Sequence, residues 1–304
     1  MKELFELTIL TPSYNRAAFL PRLYESLKKQ TVHDFQWLVI DDGSTDDTFD
    51  YLKSIASDYN DFLFEYYNKD NGGKHTALNF SHPYIKGEWT CIVDSDDWLI
   101  PEAVEKILNA IKKYKSDDDT KVITFLKGNA MDAPLVDDFP LEPVVSNHIV
   151  FKVNADRSGD CCEVVKTDIF KNRPFPVFQG ERFLAEGYLW NYIGFRYNSV
   201  YIRDVVYLCE YLPDGLTRSG RRLRINCPRG GMACSSSFFE KVASRKVKRS
   251  ILFKEAMLYV CYGKFAKLNY KHIFNGLNSR MWIFVSYIPG VLLYKFWKLK
   301  YMKK

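Results

Sequence analysis

Residues 89–98 read Trp-Thr-Cys-Ile-Val-Asp-Ser-Asp-Asp-Trp, a short apolar run that ends in three carboxylates. The run 89–93 suits a strand buried on both faces, and Asp94, Asp96 and Asp97 then stand at its carboxyl end. In open α/β sheets that edge is where ligands bind. Carboxylates this close repel one another and stay ionised together only where water or a cation relieves the repulsion. Oxygen-only ligands suit a hard ion such as Mg²⁺ or Mn²⁺, which commonly arrives with a diphosphate. The same residues also make a good turn and helix N-cap before Ile100-Pro101-Glu102, so the rest of the chain must decide.

Outward from this stretch, the first 126 residues alternate strand and helix patterns, the signature of a mainly parallel sheet covered on both faces. Strands are predicted at 7–10, 35–40, 62–67, 89–93 and 122–126, with a helix over 17–30. The first strand leads into Thr11-Pro12-Ser13-Tyr14-Asn15-Arg16 and the second into Asp41-Asp42-Gly43-Ser44-Thr45-Asp46, where Ser44 or Thr45 can cap a helix. The third leads into Asn71-Gly72-Gly73-Lys74-His75. Each loop alone could be an ordinary turn. Four of them on one edge of one sheet point to a binding site.

The first loop argues against a dinucleotide fold, because Pro12 and Tyr14 stand where G-x-G-x-x-G would be needed for close approach to a pyrophosphate. A mononucleotide fits better. Asp42 can accept from the imide N–H of uracil, and Tyr14 can stack on the base.

In order and spacing, the motifs at 11–16, 41–46, 71–74 and 94–97 resemble the family 2 glycosyltransferases, inverting enzymes with the GT-A fold. The likeness is dense over residues 5–125 and looser over 126–217. It implies a GT-A α/β fold, with a Rossmann-like, mainly parallel sheet flanked by helices and a C-terminal helical extension. Residues 1–217 would be the catalytic domain, divided into a nucleotide-sugar-binding half (1–126) and an acceptor half (127–217). Pro12, Tyr14, Arg16 and Asp42 would line the nucleoside pocket, with Asn15, Gly73 and Ser95 in the same motifs. Asn71 and Lys74 would lie beside base, ribose or phosphates, and Asp94 would reach the ribose or sugar. Asp96 would be the main ligand of Mn²⁺ or Mg²⁺, with Asp94 the alternative. The donor would be a nucleotide sugar, preferably a UDP-sugar.

Such a reaction also needs a carboxylate or histidine to take the acceptor's proton. The family usually carries a Glu-Asp pair at a helix start here, but this chain has Glu186-Gly187. Glu186 is the expected base and Glu181 the alternative, since the apolar spacing of Leu189, Trp190 and Ile193 resembles the family's helix. A solvated helix-start carboxylate is the competing reading for Glu186. Trp190 with Tyr188 is a candidate acceptor platform or simply core, and Asp160 is a candidate sugar contact or a turn residue.

Composition changes sharply after residue 217. Residues 1–217 hold 23 Lys and Arg against 35 Asp and Glu, whereas 218–304 hold 20 against 2, a local balance of +18 within a chain of +6. That third should seek an anionic partner. Residues 214–222 read as a flexible basic loop able to close on a diphosphate, with Arg218 a candidate contact. Helices are expected at 238–249, 251–262 and 270–277. The last stretch has a 14-residue apolar run interrupted by Pro289-Gly290, then aromatics mixed with lysines. It is too short to span a bilayer and suits an interfacial helix, so 281–304 is expected on a membrane surface or packed on the enzyme.

Seven cysteines without CxxC spacing indicate neither a disulfide framework nor a zinc site, and the N-terminus lacks the uncharged core of a signal peptide. The expectation is a cytoplasmic protein, peripheral at the inner face of the membrane, acting on a glycan or lipid-linked acceptor in envelope synthesis. The alternative is a silent nucleotide-sugar binder. A nucleic-acid partner leaves the four loops unexplained and is not expected. A processive synthase is disfavoured by the lack of spanning segments and of Gln-x-x-Arg-Trp.

Overall fold

The computed structural model describes residues 4–58, 60–130, 133–136, 139–157, 159–210, 216–240 and 246–302. The chain divides into two compact units. One comprises residues 1–147, 157–174 and 197–210, and the other 148–156, 175–196 and 211–304. The division does not follow the expected boundary at residue 217, because 175–196 belongs with the C-terminal helices.

The first unit is a mixed sheet with helices. In chain order it contains β1 (Phe5–Ser13), α1 (Leu20–Lys28), β2 (Gln36–Asp41), α2 (Thr48–Ile55), β3 (Leu63–Asn68), α3 (Lys74–Ser81), β4 (Gly87–Ile92) and β5 (Trp98–Leu99). It continues through α4 (Ala103–Tyr114), β6 (Thr120–Ala130), β7 (Ala133–Pro134), β8 (Val144–Asn147), β9 (Cys161–Lys166), α5 (Thr167–Lys171) and β10 (Asn198–Leu208). The strand order is β3-β2-β1-β4-β9-β6-β10-β5. The first four run parallel, so all their carboxyl ends meet on one edge, as expected.

The expectation of a mainly parallel sheet holds only for part of it. β9 enters antiparallel between β4 and β6, and β5, β7 and β8 also pair antiparallel. The run Cys-Cys-Glu-Val-Val-Lys is apolar enough for a central strand, but direction is not encoded in composition. β2 is buried along its whole length, consistent with its place between β1 and β3. α1 begins where Pro21 presets the first turn, later than the predicted residue 17, and buries Leu20, Leu23, Tyr24 and Leu27 at helical spacing. These pack with Leu7, Ile9, Trp37 and Val39 in one core.

The second unit is helical: α6 (Gly187–Gly194), α7 (Leu216–Asn226), α8 (Pro228–Ser237), α9 (Arg249–Phe265), α10 (Tyr270–Asn275) and α11 (Arg280–Tyr301). Three expectations are corrected here. Residues 216–222 are helical, with a kink at Gly220, rather than a loop. Of the helix expected at 238–249, residues 241–245 lie outside the described residues and 238–240 and 246–248 are not helical, α8 beginning on Pro228 and ending at Ser237 and α9 beginning only at Arg249. Pro289 does not interrupt the terminal helix, and Gly290 beside it lies close against α9: a Cβ there would stand 2.6 Å from Val260 Cβ. Among the described residues no helix is long and apolar enough to cross a membrane.

Candidate active site

The site is built in the first unit from the loops after β1, β2, β3 and β4. The first two loops are stitched together. Asn15 sits at φ 52°, a left-handed conformation that asparagine tolerates, and its Oδ1 accepts from Thr45 N at 2.8 Å. Its own N–H donates to Ser44 Oγ at 2.9 Å, and Arg16 N donates to Thr48 Oγ1 at 2.8 Å. Pro12 is buried in β1 opposite Ile40, whereas the Tyr14 ring is exposed at the rim.

The second and third loops are joined by Asp42. Its Oδ1 accepts from Lys69 Nζ at 2.5 Å and Gly72 N at 3.0 Å, and its Oδ2 from Gly73 N at 2.6 Å. Asn71 Nδ2 donates to the Asp42 carbonyl at 2.9 Å. Gly43, at φ 74°, passes so close beneath this loop that a Cβ would stand 2.7 Å from Asn71 N. Gly73 opens α3 at φ 95°, again a conformation favouring glycine. Asp42, expected in the nucleoside pocket, thus also braces the third loop. Its side chain is 3% exposed and already accepts from Lys69, Gly72 and Gly73, with Thr76 Oγ1 3.5 Å from Oδ1, leaving one acceptor position on Oδ2.

The acidic turn after β4 is held from three sides. Lys74 Nζ donates to Asp94 Oδ1, binding the third loop to the fourth. Arg22 donates to the Asp96 carbonyl at 2.5 Å and lies 3.8 Å over the Trp98 ring. Tyr207, wholly buried on β10, donates to Asp97 Oδ2 at 2.6 Å and accepts from Asp94 N at 2.9 Å. Asp97 is thus an anchor of the turn, and Ser95 is buried within it.

Electrostatics separate the three carboxylates. Burial alone would raise Asp94, but Lys74 and Lys127 outweigh it and hold its carboxyl below the usual range. Burial and the neighbouring Asp94 raise Asp96, against Arg16, whose Nε stands 3.6 Å from Oδ2. Burial and Asp94 push Asp97 up to about 7. Lys127, at the end of β6 and 3.8 Å over the Tyr207 ring, stays charged because Asp94 and Asp97 outweigh the effect of burial. Asp96 is raised by burial and by Asp94, so an added cation would favour its ionised form. Among the described residues no three His, Cys, Asp or Glu side chains gather as a metal site. The donor set therefore fits an ion that takes one carboxylate here and its other oxygens from a ligand or water.

Sequence reasoning missed Arg22, Lys69, Lys127 and Tyr207. Lys127 was within reach of it, since it follows the predicted fifth strand on the same edge as the other loops. Tyr207 carried no local signal, being 113 residues from the turn it anchors.

The remaining predicted residues lie elsewhere. Glu186 stands at the N-cap of α6 in the helical unit, its carbonyl accepting from Leu189 N at 2.8 Å and Trp190 N at 3.1 Å. Glu181 accepts from Arg229 N at 3.0 Å and Gly230 N at 2.9 Å, so its carboxylate caps α8. Trp190 is half-buried on α6, and Tyr188 packs against Phe175. Asp160 is exposed just before β9. The side chain of Arg218 lies outside the described residues.

Residues 8–131 match the profile described as Glycosyl transferase family 2. The match covers 124 of the 304 residues and shows what this stretch is similar to. An uncharacterised glycosyltransferase of Mycoplasma genitalium is 31% identical over 124 residues, 40% of each chain. A chondroitin synthase of Pasteurella multocida is 35% identical over 109 residues, 36% of this chain and 11% of that one. The matched stretches thus span well under half of these relatives. Two solved structures share the fold of this chain. The S. aureus TarS fragment in complex with UDP-GlcNAc aligns at TM-score 0.62 and 16% identity, over 94% of this chain and 89% of that one. A mannosyltransferase from Pyrobaculum calidifontis in complex with GDP-Man and Mn²⁺ aligns at 0.56 and 16% identity, over 98% and 84%.

Proposed function

We propose that the protein is a metal-dependent, inverting glycosyltransferase that moves a sugar from a nucleotide sugar, preferably a UDP-sugar, to a hydroxyl of a glycan or lipid-linked acceptor in envelope synthesis. The observation that carries this reading is the convergence of four interlocked loops at one edge of parallel strands, with Arg16, Lys74 and Lys127 grouped around Asp94 and Asp96. The structural neighbours in complex with UDP-GlcNAc and with GDP-Man support a nucleotide-sugar donor.

Tyr14 would stack on the base, with the Asp42-braced loop of Asn71 to Lys74 beside it. Asp94, kept ionised by Lys74, would accept from a ribose or sugar hydroxyl. Asp96 would hold Mn²⁺ or Mg²⁺, which stabilises the charge left on a departing diphosphate. Lys74 and Lys127 add positive charge to the same region. Glu186 would take the proton of the acceptor hydroxyl as its oxygen attacks the anomeric carbon. The bond from that carbon to the diphosphate breaks, and its electron pair leaves with the nucleoside diphosphate. Glu186 is preferred to Glu181 because it opens α6, on which Leu189, Trp190 and Ile193 follow at the spacing expected of the helix after the base. The reading places the work in the cytoplasm, where all seven cysteines, free here, would stay reduced.

The test is release of nucleoside diphosphate from a panel of UDP-, GDP- and dTDP-sugars with Mn²⁺, Mg²⁺ or EDTA, supplied with lipid extract as acceptor. Asp96→Ala should abolish metal-dependent release, and Glu186→Gln should abolish release while donor still binds. Metal-dependent binding without release from any donor would assign the chain as a silent binder instead.

A further inference from the structure

The helix α11 has two faces of opposite character. Ile283, Ser286, Gly290 and Trp297 are buried against the helical unit. On the other side Phe284, Val285, Ile288, Leu292, Phe296 and Leu299 are exposed, Phe284 by 76% and Ile288 by 71%, and Met281 and Met302 continue the row to the two ends. At 100° per residue these eight fall within an arc of about 120°, opposite the buried set. A seam about 33 Å long, over the 22 residues of the helix, is far more exposed apolar surface than scattered single residues leave.

What covers the seam is decided by charge. Arg280, Lys295, Lys298 and Lys300 are all exposed along the same helix. The sequence holds nine Lys and Arg and no Asp or Glu from residue 256 to its end. A second copy would bring the same positive charge to the same seam, whereas an anionic lipid surface would bring the opposite one. Long basic side chains can extend their heads toward phosphates while the apolar row enters the boundary between headgroups and acyl chains. We propose that α11 is an in-plane docking helix for anionic membrane surfaces, bound by its exposed apolar row and its flanking cations together.

The experiment uses the full chain and vesicles of phosphatidylcholine alone or with about 30% phosphatidylglycerol. Co-sedimentation should show binding to the anionic vesicles at least about tenfold tighter than to the neutral ones. Phe284→Ser/Ile288→Ser/Leu292→Ser, all at exposed positions, should lose at least about tenfold in that binding with an unchanged melting temperature. Should that variant melt lower, Lys295→Gln/Lys298→Gln/Lys300→Gln carries the test, and it should lose the preference for anionic lipid. Three results would overturn the proposal: no binding of the native chain to anionic vesicles, equal binding by a stably folded variant, or a native dimer that the triple-serine variant converts to monomer. The last would give the seam to a second copy. Since no turnover is read, none of these results bears on glycosyl transfer.

Discussion

Replacing Asp42 by Asn tests whether this carboxylate works by bracing the site rather than by touching a ligand alone. The side chain keeps its shape, yet one acceptor oxygen becomes an NH₂ group. Oδ1 now serves Lys69 and Gly72, and Oδ2 serves Gly73, so the amide must turn a donor toward one of these donors. A buried N–H deprived of its acceptor costs about 1–3 kcal/mol. Breaking a buried ion pair from one side costs about 3–5 kcal/mol, but Lys69 keeps Thr76 Oγ1 at 2.9 Å and the Asp70 carbonyl, so about 1–2 kcal/mol is the fitting share. The sum is about 3 kcal/mol, to be read as a shift in urea denaturation followed by tryptophan fluorescence, Trp37 and Trp89 being buried in this unit. Tyr14→Ala, at an exposed ring, should stay within about 0.5 kcal/mol while weakening donor binding. An Asp42→Asn protein as stable as the native one, but poor at donor binding, would refute the bracing argument and return Asp42 to a simple contact.

Tyr207→Phe removes the hydroxyl shared by Asp97 Oδ2 and Asp94 N and should cost about 2–4 kcal/mol in denaturation, with weaker metal-dependent donor binding. An unchanged midpoint would mean that the acidic turn does not depend on this tyrosine. Gly43→Ala combines a positive φ with a Cβ 2.7 Å from Asn71 N and should cost about 2–3 kcal/mol; a neutral result in a thermal melt would show that the loop yields freely. Glu255, on α9, is raised by burial, and the hydroxyl of Ser235 at 2.8 Å offsets this only in part. A carboxyl whose folded pKa lies above its unfolded value favours the native state below the ordinary glutamate range, about 4.3, and loses that contribution as pH climbs through the raised value. Glu255→Gln should therefore flatten the decline of melting temperature with rising pH; parallel curves for the two proteins would reject it.

The parallel half of the sheet and its four loops were readable because the cues are local: short β-branched runs, then Asp, Asn and Gly at their ends. What stayed hidden depends on pairings distant in sequence. The antiparallel entry of β9 between β4 and β6 is a matter of direction, on which Cys161–Lys166 is silent. The bracing by Asp42 was not legible because its partners belong to the next loop, and the loop's need of a brace shows only once Gly43 and Asn71 are seen in contact. α8 was missed because Gly230, Gly231 and three serines depress helix propensity. Its compensations come from elsewhere in the fold: the glycines allow close packing, and the cap at its first turn comes from Glu181.

That cap bears on where the catalytic domain ends. A cut at residue 217, which the change in composition invites, would leave the segment 175–196 without its supports. Glu181 would lose Arg229 N and Gly230 N, and buried Asn191 would lose its bond to Ser237 Oγ at 3.1 Å. Phe195 would lose Phe238, whose ring lies 6.2 Å away edge-on, and the Ala185 carbonyl would lose Cys234 Sγ at 3.4 Å. Gly230 is packed so closely that a Cβ would stand 2.6 Å from the Phe183 carbonyl, so the helix shapes this loop directly. Leaving buried Asn191 without its partner costs about 1–3 kcal/mol, and the lost packing at Phe195 and Gly230 adds to it, against the 5–15 kcal/mol that holds an ordinary domain together. The fragment 1–217 is therefore expected to expose apolar surface and lose fixed packing around Glu186, seen as dye binding and a weakened near-ultraviolet dichroism signal. A soluble fragment that melts cooperatively and still turns over donor would show that the helices are an appendage. The expected result makes them the support that fixes the proposed base.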